Sequence, residues 1–175
     1  IEFPEYNAID NIDSQNVLRL SLRNRLQTRR DGTLQDVVDW ALYTDWRIDP
    51  NSGQNNFADL FSDAVIRPRS WLSLNSGLRY DLDNSLWRTI NQGFTISPKP
   101  NLWSIQGGQY YYLARPSTSL SDRTDVFYSG LGYRLNENWS FSTRQYYDSK
   151  KGEMSQHDYI VHRDMRNWTF FVDLS

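Results

Sequence analysis

The sequence has 175 residues, a formal net charge of −2 and no cysteine. That is the size of one domain, 1–175, or of a piece of a larger one. The near-balanced charge offers no basic field for nucleic acid, and the missing cysteines exclude disulfides and thiolate metal sites. No run of about 18 apolar residues occurs, so no transmembrane helix is predicted. No signal peptide is visible in the sequence, and Ile1 reads as a mature or trimmed start.

Mean hydropathy is low, −0.72, yet 15 % of the residues are aromatic, with 7 Trp and 11 Tyr. A disordered chain would lack the aromatics, and an ordinary soluble core would carry more Leu, Ile and Val. A membrane β-barrel reconciles the two, because its lumen face is polar and its lipid face is a thin apolar band with aromatic girdles.

Period-2 alternation runs through nearly every segment. Leu18, Leu20 and Leu22 alternate with Arg19, Ser21 and Arg23; Val38, Trp40, Leu42, Thr44, Trp46 and Ile48 with Asp39, Ala41, Tyr43, Asp45 and Arg47; Leu72, Leu74, Leu78, Tyr80 and Leu82 with Ser73, Asn75, Gly77, Arg79 and Asp81. Ten strands are predicted: Val17–Arg30, Leu34–Asp49, Phe57–Arg67, Trp71–Asp83, Leu86–Ser97, Leu102–Arg115, Thr124–Leu135, Trp139–Asp148, Gln156–Asp164 and Trp168–Ser175. Most reach the roughly 9–11 residues that a tilted strand needs to cross a bilayer, against about 5–6 for a globular strand. The predicted fold is all-β: an antiparallel up-and-down transmembrane β-barrel segment of about ten strands, part of a larger barrel.

The turns divide by edge. Pro68-Arg69-Ser70, Pro98 to Leu102, Asn136-Glu137-Asn138 and Met165-Arg166-Asn167 are followed by Trp71, Trp103, Trp139 and Trp168, spaced by roughly a hairpin each. These four tryptophans are the expected membrane-interface aromatic belt, since the indole ring is apolar while its N–H stays wet. In a soluble sheet the same residues would be core. Trp71 shares parity with polar Ser73, Asn75 and Arg79, which fits either the lumen or a place beside a bulge. On the other edge lie Asp49–Asn56, Asp83–Ser85, Pro116–Arg123 and Asp148–Ser155, three of them read as longer polar loops. Short turns on one side and longer loops on the other is the barrel pattern, the short side periplasmic. Leu72, Leu74, Leu78, Phe141, Phe170 and Val172 are expected to face lipid, and Asn75, Arg79, Ser142, Arg144 and Asp173 the lumen. By the same parity both ends of the chain fall on the outer side, so further strands are expected in a longer parent chain.

Catalytic chemistry has little support, and the chain is read as not an enzyme, with no catalytic residue, cofactor or metal site. Ser155, His157 and Asp158 permit a Ser–His–Asp reading in principle, and His162 shares a face with Ile160 and Asp164, but no G-x-S-x-G elbow is present and the ligands are too few for a metal. Gly107-Gly108 and Gly130-Leu131-Gly132 sit inside strand patterns with no helix behind them, so they are not phosphate loops. They allow curvature or close packing against aromatic neighbours. Asp31-Gly32 is a hairpin signal.

Phe3 to Asp10, Asn16 to Thr28, Phe61-Ser62-Asp63 and Tyr159 to Trp168 together resemble the barrel of the lipopolysaccharide-assembly (LptD, or organic solvent tolerance) family, with Leu22 to Thr28 the most specific stretch. The resemblance implies an outer-membrane location in a Gram-negative-type bacterium and a barrel plugged by an LptE-like lipoprotein. Lipopolysaccharide would arrive over an LptA-like periplasmic bridge, through a domain outside this sequence, and leave through a seam in the wall. Where the family often carries a late cysteine pair this sequence has Asp164 to Trp168, so disulfide-controlled maturation is not implied. The competing classes are another outer-membrane barrel of porin or adhesion type, a soluble carbohydrate-binding β-sandwich, and an outer-membrane hydrolase using Ser155 and His157.

Overall fold

The structure is a computed structural model that describes residues 16–174 except 31, 51–54, 100, 101, 115, 116, 166 and 167. The strands are β1 (Val17–Arg30), β2 (Thr33–Arg47), β3 (Leu60–Arg69), β4 (Leu72–Asp81), β5 (Leu86–Lys99), β6 (Trp103–Tyr112), β7 (Thr124–Arg134), β8 (Trp139–Asp148), β9 (Glu153–Met165) and β10 (Trp168–Leu174). They form one ten-stranded sheet in sequence order, and all neighbours are antiparallel. A short 3₁₀ turn, Leu120–Asp122, is the one helical element among the described residues. No pairing joins β1 to β10 among them, so the sheet is open and a closed barrel is not part of it.

Several boundaries shift from the sequence reading. Phe57, expected to open the third strand, makes only an isolated bridge to Trp46, and β3 begins at Leu60. The expected loop Asp148–Ser155 shrinks, because β9 starts at Glu153. The Asp148 carboxylate accepts from the backbone N–H groups of Lys150 and Lys151, and Gly152 takes φ +73°, a conformation that glycine adopts without a Cβ penalty. Two connections on that edge are therefore long, 48–59 and 113–123, and two are tight, 82–85 and 149–152. On the opposite edge Gly32, at φ +77°, serves the predicted Asp-Gly hairpin. The Phe3–Asp10 stretch of the resemblance, Ser175, and Arg166-Asn167 of the last turn lie outside the described residues.

Five register shifts interrupt the ladders among the described residues. One lets Arg79 pair with Thr89 and Tyr80 with Trp87, leaving Arg88 as the extra residue. Another pairs Tyr146 with Gln156 and Tyr147 with Met154, leaving Ser155 extra. A third lies between Ile66 and Arg69, which pair with Leu74 and Leu72, so two residues of β3 stand opposite Ser73. Bulged residues leave the in–out alternation, and this frees Arg88 to turn into the sheet edge.

One layer of sheet encloses almost no core. Among the described residues only Tyr111 and Leu113 are buried apolar side chains. Large apolar side chains from β1, β2 and β4 through β9 stand exposed, among them Leu22 (52 %), Leu26 (60 %) and Trp139 (36 %).

Candidate functional site: two faces of one sheet

Residues paired across an antiparallel ladder share a face, so the register sorts the sheet into two surfaces. One row runs Leu72, Ile96, Ile105, Leu131, Thr143 and Tyr159 from β4 to β9. Leu22 and Leu42 on β1 and β2, Leu74 and Leu78 on β4, and Phe141 paired with Val161 belong to the same surface. The register puts Val172 in line with Val161 and Phe170 in line with Arg163. By register the six positions expected to face lipid share one parity. Asn75, Arg79, Ser142 and Arg144 occupy the other, and Asp173 is in line with Ile160. The apolar surface has a polar waist, with Ser76, Gln92 and Gln109 in a single row. There the Gln109 amide donates to Asp125 at 2.9 Å.

The four tryptophans lie along the edge of short turns. Trp103, Trp139 and Trp168 begin β6, β8 and β10, and Trp71 immediately precedes β4. The Arg163 guanidinium sits 4.7 Å from the centre of the Trp139 ring, a cation–π contact.

Over β1–β4 the polar surface is closed by its own charges. Arg19 grips Asp45 with two hydrogen bonds of 2.7 and 3.0 Å, and Arg23 grips Asp39 at 2.9 and 2.7 Å. Arg25 reaches Asp39 at 3.2 Å. Rings fill the space between. Tyr43 and Phe61, cross-strand partners, stack at 4.9 Å with planes 3° apart. Arg19 lies 5.5 Å over the Tyr43 ring and Arg79 lies 5.3 Å over Phe61. Arg79 in turn bonds to the nearly buried Asp59. The result is a guanidinium–ring–ring–guanidinium stack capped by carboxylates.

At the long-loop edge Arg88 and Asp81 form a buried pair, with side-chain exposures of 3 % and 0 %. Arg88 donates through Nε and Nη2 to Asp81 at 2.9 and 2.6 Å. Its Nη1 donates to the carbonyl of Ser117 and, at 3.4 Å, to that of Ala114. Asp81 also accepts from the backbone N–H groups of Asp83 and Asn84. One ion pair thus pins both the 82–85 turn and the 113–123 loop.

Of the glycines expected to pack against aromatic neighbours, Gly107 and Gly108 do, whereas Gly130 and Gly132 meet Gln106 and Ser104. Gly107 pairs with Phe94 on one face, and Gly108 pairs with Tyr128 on the other. A Cβ on Gly107 would come within 2.9 Å of the Phe94 ring, and one on Gly108 within 2.7 Å of Tyr128 and 2.1 Å of the Gln92 carbonyl oxygen. The Gly-Gly step is held between two rings, which only hydrogen side chains permit.

The residues of the Ser–His–Asp reading are not brought together. His157 pairs with Gln145 on the apolar surface, whereas Asp158 pairs with Arg144 on the polar one. His162, paired with Ser140, also lies on the polar surface. The bulged Ser155 donates its hydroxyl to the Tyr146 carbonyl at 3.3 Å. Sequence reading missed the Asp81–Arg88 pair, because a bulge changes the parity of Arg88. Among the described residues no group of three or more His, Cys, Asp or Glu side chains could hold a metal ion, and no helix is long and apolar enough to cross a membrane.

No protein-family model matches this chain, and no curated protein matches it either.

Proposed function

We propose that this chain is a wall segment of an outer-membrane β-barrel, with its apolar surface against lipid and its polar surface toward an aqueous lumen. The observation that carries the reading is the single-layer sheet with one apolar surface and almost no core. A soluble sheet buries its apolar face against a second layer, and exposed apolar patches on soluble monomers rarely exceed a few hundred Å². Hydrocarbon is a cover that needs no second layer, and strand lengths of 10 to 15 residues in β1–β9 suit it. The row of tryptophans along the short-turn edge suits an interface belt.

Within that reading, the resemblance carried by Asn16 to Thr28 and Tyr159 to Trp168 favours lipopolysaccharide transport and assembly over a general porin. The work would be conformational and electrostatic, with no bond made or broken, and the partners would be lipopolysaccharide, a lipoprotein plug and a periplasmic bridge. Two experiments separate the levels. The full chain expressed with its parent should stay with detergent-extractable membranes; recovery in the aqueous fraction removes the barrel reading. Photo-crosslinkers at polar-surface positions 75 and 142 should capture lipopolysaccharide; capture only from apolar positions removes the transport reading and leaves the barrel standing.

A further inference from the structure

The polar surface changes character between β6 and β9. Two rows cross it there: Ser104, Gly132, Ser142, Ile160, and Gln106, Gly130, Arg144, Asp158. Glycine at both β7 positions leaves a trough one strand wide, and a hollow of about 260 Å³ opens over it. A Cβ on Gly130 would come within 2.9 Å of the Gln106 amide, and one on Gly132 within 2.9 Å of the Ser104 hydroxyl. The glycines thus let the Gln106 amide and the Ser104 hydroxyl lean over β7 at the floor of the hollow.

Arg144 stands at its rim. Arg19, Arg23, Arg25 and Arg79, also in mid-strand positions, each hold a carboxylate. Arg144 makes no hydrogen bond or ion pair among the described residues. Its cross-strand partner Asp158 accepts instead from the Gln156 amide at 2.9 Å. The next row adds Tyr128 and Tyr146, their ring centres 6.5 Å apart. A free guanidinium suits a carboxylate or phosphate, the Asp158 carboxylate and the Gln106 and Ser142 side chains suit hydroxyl groups, and Ile160 adds an apolar side to the lining. The volume falls just below the roughly 300–1,000 Å³ of pockets for drug-sized ligands, which is room for one sugar ring.

We propose that this hollow is a binding site for one acidic saccharide residue, its anionic group on Arg144 and its hydroxyls on Asp158, Ser142 and Gln106. The site is made by β6–β9 alone and stands whether the apolar surface meets lipid or protein. The test is titration of the folded full chain, followed by ligand-observed NMR, with D-glucuronate, D-glucose and inorganic phosphate. Glucuronate should bind about tenfold more tightly than glucose, the scale of one charge-assisted hydrogen bond, and more tightly than phosphate. Arg144→Gln should erase the preference over glucose, while Arg134→Gln, whose guanidinium holds the Asn136 and Glu137 carbonyls, should preserve it. Gly132→Ala, which fills the floor, should weaken both sugars. Equal binding of the two sugars, phosphate as the tightest ligand, or an unchanged preference in Arg144→Gln with the strand signal intact would overturn the assignment.

Discussion

The β1–β4 and β6–β9 portions of the polar surface obey the same alternation but end in opposite states. In the first, Arg19, Arg23, Arg25 and Arg79 are matched to Asp45, Asp39 and Asp59, and the Tyr43–Phe61 stack fills the gap between them. In the second, Gly130 and Gly132 remove the filling and Arg144 keeps no partner among the described residues. The first portion is the more densely charged, yet its guanidiniums are partnered; the second has fewer charges and leaves Arg144 unmatched among the described residues. A polar face whose charges satisfy one another is a wall, whereas one with a vacancy beside an unmatched guanidinium can receive a ligand.

Substitutions that break this contrast rank by how deeply they cut. Arg88→Met breaks the buried ion pair with Asp81 and should cost about 3–5 kcal/mol, read as a lower denaturant midpoint of the chain folded in lipid or detergent. Leu74→Arg places a charge in the middle of the apolar surface and should cost about 2–4 kcal/mol if that surface meets lipid. Ser73→Arg, one residue away on the other face, should be far milder, and equal costs would dissolve the distinction between faces. Gly108→Ala drives a methyl against the Gln92 carbonyl and Tyr128 and should cost about 1–3 kcal/mol. Gly77→Ala, whose Cβ meets nothing closer than 3.5 Å, should change stability by less than about 0.5 kcal/mol. The smallest effect belongs to the exposed Arg23–Asp39 pair. A double-mutant cycle with Arg23→Gln and Asp39→Asn should show a weak coupling that fades as salt is added.

Much of the fold was legible in the sequence because alternation is written residue by residue. β1 and β8 match the predicted ranges, and Asp-Gly marked the first hairpin. The division into two surfaces follows the same alternation, and the six positions expected to face lipid share one parity by register. What stayed hidden depends on departures from parity. A bulge takes Arg88 out of the alternation and lets it reach Asp81, which parity along the sequence does not reveal. The hollow was hidden for another reason. Gly130, Gly132, Arg144 and Asp158 become neighbours only through the β6–β9 register, and separation along the chain gives no hint of it. The cross-strand stack of Tyr43 on Phe61 is equally invisible until the β2–β3 pairing is known.

The absence of cysteine allows a direct test of the central claim, that the apolar surface meets hydrocarbon. Single cysteines at positions 72 to 75, 78, 79, 141 and 142 can each carry a spin label in the full chain reconstituted in bilayers. Relaxation by oxygen, which concentrates in lipid, should be strong at 72, 74, 78 and 141. Relaxation by a water-soluble nickel chelate should be strong at 73, 75, 79 and 142, with a period of two along β4. Equal access of the nickel chelate to both sets, with the strand signal intact, would contradict the account.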